Sequence, residues 1–475
     1  MRRSTALRGI SALAVVLLAG SACSSSRRGA SPVTTAAPTT EGASSTTAAS
    51  GTTFGDLASP CGKGDAKGAT DQGVTDTSIR IAYGDDRGYA ASPGLDQEIG
   101  DAIKGMVKWC NDQGGVLGRQ LQGDFYDAAI TQVNSVMQQA CKADFMLVGE
   151  GWALDEAAEG TRVGCNLVAV PTYTVGPDFA NAPMMYQGVP NPVDYVPASD
   201  YYEVAQLFPE DITKTDVLHT TLVSATEVSY NKDLQAMAGA GWANANCGVT
   251  INYQGEPDYK PFAQKYVSCG AKLLFINLST GPPLEGTITA IDQLGLKPQY
   301  LFESNVYSQA FAQWNTSTNG IADNSLFRLA FQPLENTQVK AVQDYLNVVH
   351  ATGGKVGLLG EQAVSSFLLW ATAAKSCGST LTRQCMINAL AKVHTWTGGG
   401  INAPTDPGAN LPASCGILVK LVGSTYSQFY PKTAGQFDCN DKYRFKVSQS
   451  AWGTTLGADR IATKFLGPNV IKPQA

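Results

Sequence analysis

The sequence is poor in charge and histidine, and it lacks the motifs of the common enzyme classes. Charged residues make up 16% of its 475 residues, and the formal net charge is -6, which argues against a basic nucleic-acid-binding face. His219, His350 and His394 are scattered, and no CxxC pair or Cys/His cluster has zinc spacing, so no metal is expected. HExxH, GxSxG, the Walker phosphate loop and a strand-linked GxGxxG are missing, so we expect neither catalysis nor a cofactor.

The sequence also has no apolar run long enough to cross a bilayer as a mature helix. Arg2, Arg3 and Arg8 precede a short apolar run at residues 10–19, which predicts a signal peptide over residues 1–22. Small residues then lead to Cys23 in a pattern that resembles a lipobox, whose cysteine is acylated; an incidental cysteine in an ordinary secreted protein is the alternative. Residues 23–56 are rich in Ser, Thr, Ala and Pro, which predicts an unstructured tether, either bare or O-glycosylated.

Apart from Cys23, the chain has an even ten cysteines, which an exported protein would oxidise. Cys141 and Cys165 directly precede two apparent strands that would be neighbours in a doubly wound sheet, close enough for a disulfide. We therefore predict that pair. The sequence does not fix the remaining connectivity, for which the arrangement considered is Cys377 with Cys385, Cys415 with Cys439, Cys247 with Cys269 and, by elimination, Cys61 with Cys110.

Strand and helix patterns alternate along the chain, which indicates an α/β fold. The first series has apparent strands near residues 79, 121–126, 145–148 and 167–170, with helices between them. A second series starts at residues 217–223 and continues with apparent strands at 249–253, 273–277 and 300–302. A short strand at 326–331, two helical segments and a terminal hairpin at 415–430 complete the pattern. Two lobes with separate cores are therefore expected.

The segment "KWCNDQGGVLGRQL" ends a predicted amphipathic helix at a Gly-Gly turn and enters the next strand. It resembles the first βαβ unit of the branched-chain amino-acid-binding family of type I periplasmic solute-binding proteins. The resemblance implies two Rossmann-like lobes joined by a three-strand hinge. Lobe 1 is expected at residues 57–195, with 325–400 returning to it. Lobe 2 is expected at 196–324, with 401–475 completing it.

In open α/β sheets, ligands bind beyond the carboxyl ends of the strands, so the loops there are the candidate site. The family often places Gly-Pro-x-Ser-Ser after the third strand, where this chain has Gly149 to Ala153 and lacks the hydroxyls. The hydroxyl loop after the fourth strand is matched better by Pro171 to Thr174, and Tyr230 aligns with a family tyrosine. Glu150 and Glu303 could instead be ordinary solvated acids, and the Trp152 indole could instead pack against the neighbouring helix. The candidate ligand-binding residues are Tyr89, Glu150, Gly151, Trp152, Thr172, Tyr173, Thr174, Tyr230, Ser279, Glu303 and Ser304.

The resemblance implies an extracytoplasmic substrate-binding lipoprotein that captures a small polar solute, such as an amino acid or an amide, and delivers it to an ABC import permease. It would be a monomer, lipid-anchored on the outer face of the bacterial cytoplasmic membrane. The departures in the carboxylate loop leave the ligand open among amino acids, amides, urea, aromatic acids and peptides. A free-standing ligand-sensing receptor of the same fold in the cell envelope is the alternative function.

Overall fold

The computed structural model describes residues 52–90, 92–221 and 224–474. The predicted signal peptide, Cys23 and most of the predicted tether lie outside these ranges. The strands are β1 (Thr53–Phe54), β2 (Leu57–Ala58), β3 (Ser78–Asp85), β4 (Gln120–Asp127), β5 (Met146–Val148), β6 (Ala169–Val170), β7 (Tyr195–Pro197), β8 (Thr215–His219), β9 (Leu273–Asn277), β10 (Gln299–Phe302), β11 (Leu326–Leu329), β12 (Cys415–Val422), β13 (Thr425–Tyr430), β14 (Asp438–Cys439) and β15 (Arg444–Lys446).

The helices alternate with these strands, as the sequence pattern predicts. They are α1 (Gln97–Asp112), α2 (Val133–Ala143), α3 (Glu159–Gly164), α4 (Pro177–Ala180), α5 (Ser199–Leu207), α6 (Ser224–Gly239), α7 (Lys260–Cys269), α8 (Pro282–Gln293), α9 (Gln309–Ser317), α10 (Lys340–His350), α11 (Leu358–Cys377) and α12 (Arg383–Leu390).

The first lobe is built on a parallel sheet of order β4-β3-β5-β6. The strands β3, β5 and β6 are largely buried because helices cover both faces, whereas the edge strand β4 is mostly exposed or half-buried. One face packs against α1 and the long buried helix α11, which share a core with β3 and β5. The other face packs against α2 and the segment that follows α4. The carboxyl ends of all four strands therefore open at one edge of this lobe.

The second lobe has a mixed sheet in which β8, β9, β10 and β11 are parallel, while β12 and β13 are antiparallel additions and β14 pairs with β12. Cores lie on both of its faces. The predicted strand at 249–253 forms only an isolated bridge, between Ile251 and Thr220 beside β8. That segment still occupies the same edge position as β4 in the first sheet, so the two lobes repeat one topology.

The expected lobe boundaries need two corrections. β11 pairs with β10 and β12 in the second sheet, so the return to the first lobe begins after Leu329 and not at residue 325. The segment from residue 456 onward was expected to complete the second lobe, but it packs on the first: Val470 and Ile471 join that core. The pattern of hydrophobic residues in the sequence cannot reveal either point. It shows that a segment is buried, but not in which of the two lobes it is buried.

Chain crossings between the lobes are tied to one another by backbone hydrogen bonds. The first crossing leads into β7, which pairs with β15. The second and third are paired at the bridge between Phe331 and Asn402. In the described part of the chain a further crossing follows β15, so the expected three-strand hinge is not the whole connection between the lobes. There the Val447 amide donates to the Asp194 carbonyl at 2.9 Å and the Ala462 amide donates to the Asn181 carbonyl at 2.8 Å.

All ten cysteines in the described ranges form disulfides. The predicted Cys141–Cys165 bridge is confirmed, with a Cα separation of 5.9 Å, and β5 and β6 that follow the two cysteines are adjacent. The other pairs are those considered from the sequence, Cys61–Cys110, Cys247–Cys269, Cys377–Cys385 and Cys415–Cys439.

Candidate ligand-binding cleft

A cavity of about 180 Å³ lies between the lobes, at the carboxyl ends of strands from both sheets. Thr172 and Tyr173 follow β6 in the first lobe, and Glu303 and Ser304 follow β10 in the second. The crossing segments and the α11 residue Gln362 supply the remaining wall. The full lining is Thr172, Tyr173, Val189, Pro190, Asn191, Pro197, Ser199, Asp200, Glu303, Ser304, Arg328, Leu329, Ala330, Phe331, Gln362 and Cys415.

A buried ion cluster forms the second-lobe wall of this cavity. Arg328 on β11 binds Glu303 in a bidentate pair, with Nε to Oε2 at 2.7 Å and Nη2 to Oε1 at 2.6 Å. Its Nη1 also donates to the Pro197 carbonyl at 2.9 Å and approaches Asp200 Oδ1 at 3.5 Å. One guanidinium thus faces two carboxylates, and the cluster carries excess negative charge when both are ionised.

Burial opposes that ionisation at Asp200. Its side chain is almost completely withdrawn from water, and desolvation raises its pKa to about 7, against the lowering effect of Arg328. A second buried group, Lys232, donates to the Pro192 carbonyl at 2.7 Å and to Asn191 Oδ1 at 3.0 Å. Desolvation lowers the pKa of Lys232 to about 8. In the cleft, therefore, the desolvation of a charged group costs free energy, and a charge there needs an ion-pair or hydrogen-bond partner.

Several polar atoms of the lining make no hydrogen bond within the described residues. They are Thr172 Oγ1, Asp200 Oδ2 and Gln362 Oε1, together with Glu303 Oε1, which is ion-paired with Arg328. Buried polar atoms in folded proteins almost always have a partner, and each one left without costs roughly 1–3 kcal/mol. The carboxylate oxygen of Asp200 and the amide oxygen of Gln362 are acceptors, and the Thr172 oxygen belongs to a hydroxyl. Such a set suits a ligand or an ordered water that donates hydrogen bonds.

The structure brings four of the eleven predicted site residues to the cavity wall: Thr172, Tyr173, Glu303 and Ser304. Glu303 does not face the cleft as a free carboxylate, because Arg328 occupies both of its oxygens. Tyr173 is anchored through its hydroxyl, which donates to Asp96 Oδ2 at 2.9 Å. Desolvation raises the pKa of Asp96 to about 7, although the Tyr173 hydrogen bond lowers it.

Four further predicted residues are buried nearby but outside the lining: Glu150, Gly151, Trp152 and Thr174. Trp152 belongs to the hydrophobic cluster that also contains Ala82 and Phe179, so its indole packs in the core of the first lobe. Both Glu150 oxygens lack a hydrogen bond within the described residues, and desolvation raises the pKa of Glu150 to about 8.

The remaining three predicted residues lie away from the cavity wall. Tyr89 is half-buried, and its backbone amide donates to the Asp86 carbonyl. The Tyr230 ring packs against His219, with centroids 4.4 Å apart. Ser279 is exposed and accepts a hydrogen bond from Asn305 Nδ2 at 3.2 Å.

Sequence reasoning missed Asp200, Arg328 and Gln362. A usable signal existed for Arg328, since it is the one charged residue in the apolar strand Leu326–Leu329. Asp200 stands just after the first crossing, at the start of α5, where only the three-dimensional arrangement brings it against β11. Across the described residues no group of His, Cys, Asp and Glu side chains is arranged to hold a metal ion.

Comparisons with known proteins agree with this geometry. The family model for periplasmic binding proteins matches residues 78–425. The chain therefore belongs to the periplasmic binding protein family, and its fold is the type I fold expected from the sequence. A search of curated protein sequences found no match.

Solved structures with the same fold share little sequence with this chain. A fatty acid ABC transporter substrate-binding protein from Thermomonospora curvata has 14% identity and a TM-score of 0.61, covering 80% of this chain and 97% of its own. A leucine-binding protein from Thermotoga maritima has 13% identity and a TM-score of 0.58, covering 74% and 97%. An ABC transporter solute-binding protein from R. palustris, in complex with 4-hydroxybenzoate, has 14% identity and a TM-score of 0.57, covering 78% and 96%.

Proposed function

We propose that this protein is the substrate-binding component of an ABC importer, and that it captures a small polar solute between its lobes. The observation that carries the proposal is the interlobe cavity, whose wall combines side chains of both lobes with polar atoms that find no partner among the described residues. A ligand that contacts both lobes binds the closed form better than the open form, and this difference in affinity drives closure.

The wall favours a solute with N-H donors, such as an amino acid or an amide. The free Oδ2 of ionised Asp200 and the Oε1 of Gln362 accept hydrogen bonds, and the Thr172 hydroxyl can accept or donate one. The only guanidinium in the lining is already shared between Glu303 and Asp200. A fatty acid or an aromatic carboxylate, as named for two of the similar structures, would need to displace one of these carboxylates from Arg328.

A thermal-shift screen of the mature protein tests this proposal. The panel contains amino acids, amides, aromatic carboxylates and fatty acids, and a ligand at about 100 times its Kd stabilises the native state by roughly 2.7 kcal/mol. Thr172→Val and Asp200→Asn should each weaken the best ligand about fivefold or more, since each loses one hydrogen bond. The matched controls Thr425→Val and Asp65→Asn, at exposed positions, should leave the affinity unchanged. If both cleft variants bind as tightly as wild type, the solute does not occupy this cavity.

The cellular position is also part of the proposal. An anchor would keep the protein close to its permease at the outer face of the membrane. In the described residues no helix is long and apolar enough to cross a membrane. Acylation of Cys23 would supply that anchor, and the following Ser/Thr-rich segment would let the binding domain reach the permease. Detergent phase partitioning of wild type and Cys23→Ala is the test. Wild type should enter the detergent phase and the variant should stay aqueous; an aqueous wild type would refute the anchor.

A further inference from the structure

A second cavity, of about 380 Å³, lies beneath the C-terminal segment and is larger than the interlobe cavity. The two cavities share no lining residue. The lining of the second one is mostly apolar: Ala182, Pro183, Met184, Met185, Tyr186, Ala391, Pro407, Gly408, Ala409, Asn410, Asp459, Arg460, Ile461, Leu466, Val470, Ile471, Lys472 and Pro473. Pockets of this size and composition are typical of small-molecule sites in proteins.

The floor of the cavity is continuous with the first sheet. The Tyr186 amide donates to the Ala169 carbonyl and the Ala169 amide donates to the Met184 carbonyl, both at 3.0 Å, so this segment extends the sheet beside β6. Arg162 fixes it from below, because its guanidinium donates to the Pro183 carbonyl at 2.6 Å. The floor is therefore held in place by hydrogen bonds to the first sheet and to Arg162.

The roof is the C-terminal segment, and polar contacts hold it on both sides. At one end Arg460 makes a bidentate pair with Asp194, with Nε to Oδ2 at 2.6 Å and Nη2 to Oδ1 at 2.7 Å. At the other end the Ile471 amide donates to Asn166 Oδ1 at 3.4 Å, and Gln384 Nε2 donates to the Lys472 carbonyl at 2.8 Å. The roof spans the space between these two attachments.

The charges around the cavity are already neutralised or solvated. The Arg460 guanidinium is used by Asp194 and by the carbonyls of Ala409 and Asn410, while Asp459 and Lys472 are exposed. Tyr186 differs from these, because its side chain is only 8% exposed and its hydroxyl makes no hydrogen bond within the described residues. Its hydroxyl oxygen is not among the fully buried polar atoms without a partner, so it is accessible and can pair with one polar group of a ligand.

We propose that this cavity is a second ligand site, which takes a small uncharged apolar molecule bearing one hydrogen-bonding group. The apolar body replaces water over Met184, Met185 and Val470, and the polar group pairs with the Tyr186 hydroxyl. The absence of an uncommitted buried charge in the lining disfavours an ionised ligand. This site is independent of the interlobe cleft and of the solute that the cleft binds.

Fluorescence titration of the mature protein with a naphthol, an apolar aromatic with one hydroxyl, tests the site. Saturable binding of one naphthol per chain is expected. Tyr186→Phe should weaken it about fivefold, the effect of one hydrogen bond. Val470→Trp, which fills the cavity from its roof, should weaken it at least about tenfold. The melting temperature of each variant is measured first, and binding is compared only for variants that melt at the wild-type temperature. Loss of the fold is then not mistaken for loss of the site.

Matched controls separate this site from the surface and from the cleft. Tyr253→Phe and Val422→Trp make the same chemical changes at positions that are 63% and 51% exposed, and both should bind naphthol as wild type does. Asp200→Asn, in the cleft, should also leave naphthol binding unchanged. The proposal is overturned if naphthol does not bind saturably, if Tyr186→Phe and Val470→Trp bind as well as wild type, or if Asp200→Asn abolishes binding.

Discussion

Arg328 carries the positive charge of the cleft wall, and of its two carboxylate partners Asp200 is withdrawn from water while Glu303 is 17% exposed. Its removal leaves Glu303 and Asp200 without a counter-ion in a desolvated environment, which is far more costly than losing a surface pair. We expect Arg328→Met to lower the free energy of unfolding by about 3–5 kcal/mol, as measured by urea denaturation at neutral pH.

The control for this change is Lys108→Met, which breaks the ion pair between Lys108 and Asp112 on α1. Those side chains are 51% and 62% exposed, so the loss should stay below about 1 kcal/mol. Equal losses in the two variants would show that the Arg328 cluster is not the buried network described above.

Glu150 gives the protein a specific pH dependence. Its folded pKa, about 8, lies above its ordinary value of 4.5 because burial disfavours the charged form. The folded state therefore holds the proton more tightly than the unfolded state, and this contribution to stability is full below pH 4.5 and is lost as pH rises through 8. Glu150→Gln should remove it, so the melting temperature of the variant relative to wild type should rise from pH 5 to pH 8.

The size of that effect follows from the linkage between proton binding and folding. One pKa unit corresponds to about 1.4 kcal/mol, so the two proteins should diverge by up to that amount per pH unit between 4.5 and 8. For Glu210→Gln, at an exposed position, the melting temperature should change with pH in the same way as that of wild type. A constant difference between Glu150→Gln and wild type across this range would contradict the assignment. The exposed control also reveals any general effect of removing one carboxylate.

At the scale of single residues the sequence predicted the cleft incompletely. Thr172 and Glu303 could be placed because each follows a recognisable strand, and the ends of parallel strands meet at one edge. Trp152 follows a strand in the same way, yet its large apolar ring packs into the core of the first lobe. Whether a loop side chain turns inward or toward the cleft depends on the volume available beneath it, which no local pattern encodes.

Secondary-structure elements were predicted more successfully, because their periodicity is strong. The strands Met146–Val148 and Leu273–Asn277 lie where the pattern of apolar residues places them. The segment at 249–253 was expected to be a strand, but only Ile251 bridges to its neighbour. An edge segment has one partner at most, so an apolar alternation there does not guarantee a full ladder.

The Cys141–Cys165 bridge joins the ends of two helices whose following strands are adjacent. It closes a loop with a sequence separation of 24. Removing the bridge increases the conformational entropy of the unfolded chain. The double variant Cys141→Ser/Cys165→Ser should lose roughly 3 kcal/mol of stability, as measured by guanidinium unfolding.

The double variant Cys377→Ser/Cys385→Ser is the matched control. Its bridge has a sequence separation of only 8, so the unfolded chain gains less freedom and the loss should be smaller. A larger loss for the short bridge would contradict loop entropy as the main contribution. Peptide mapping without reduction would confirm that each variant retains its other four bridges.

For the whole molecule the sequence predicted two lobes of one repeated topology, and the two sheets confirm that repeat. It could not predict where the chain changes lobe. The boundary after Leu329 and the attachment of the C-terminal segment to the first lobe both depend on long-range contacts, such as those of Arg460 with Asp194. Such contacts join residues far apart in sequence and leave no periodic trace.

Solute-driven closure of the two lobes is the central claim, and small-angle X-ray scattering of the mature protein tests it most directly. The solute that stabilises the protein most in the thermal-shift screen is added at saturation, and the radius of gyration is compared with that of the free protein. We predict a smaller radius with the solute, and Asp200→Asn should need about a fivefold higher solute concentration to reach the same decrease. A radius of gyration that stays the same when wild type is saturated would contradict capture of the solute by closure of the lobes.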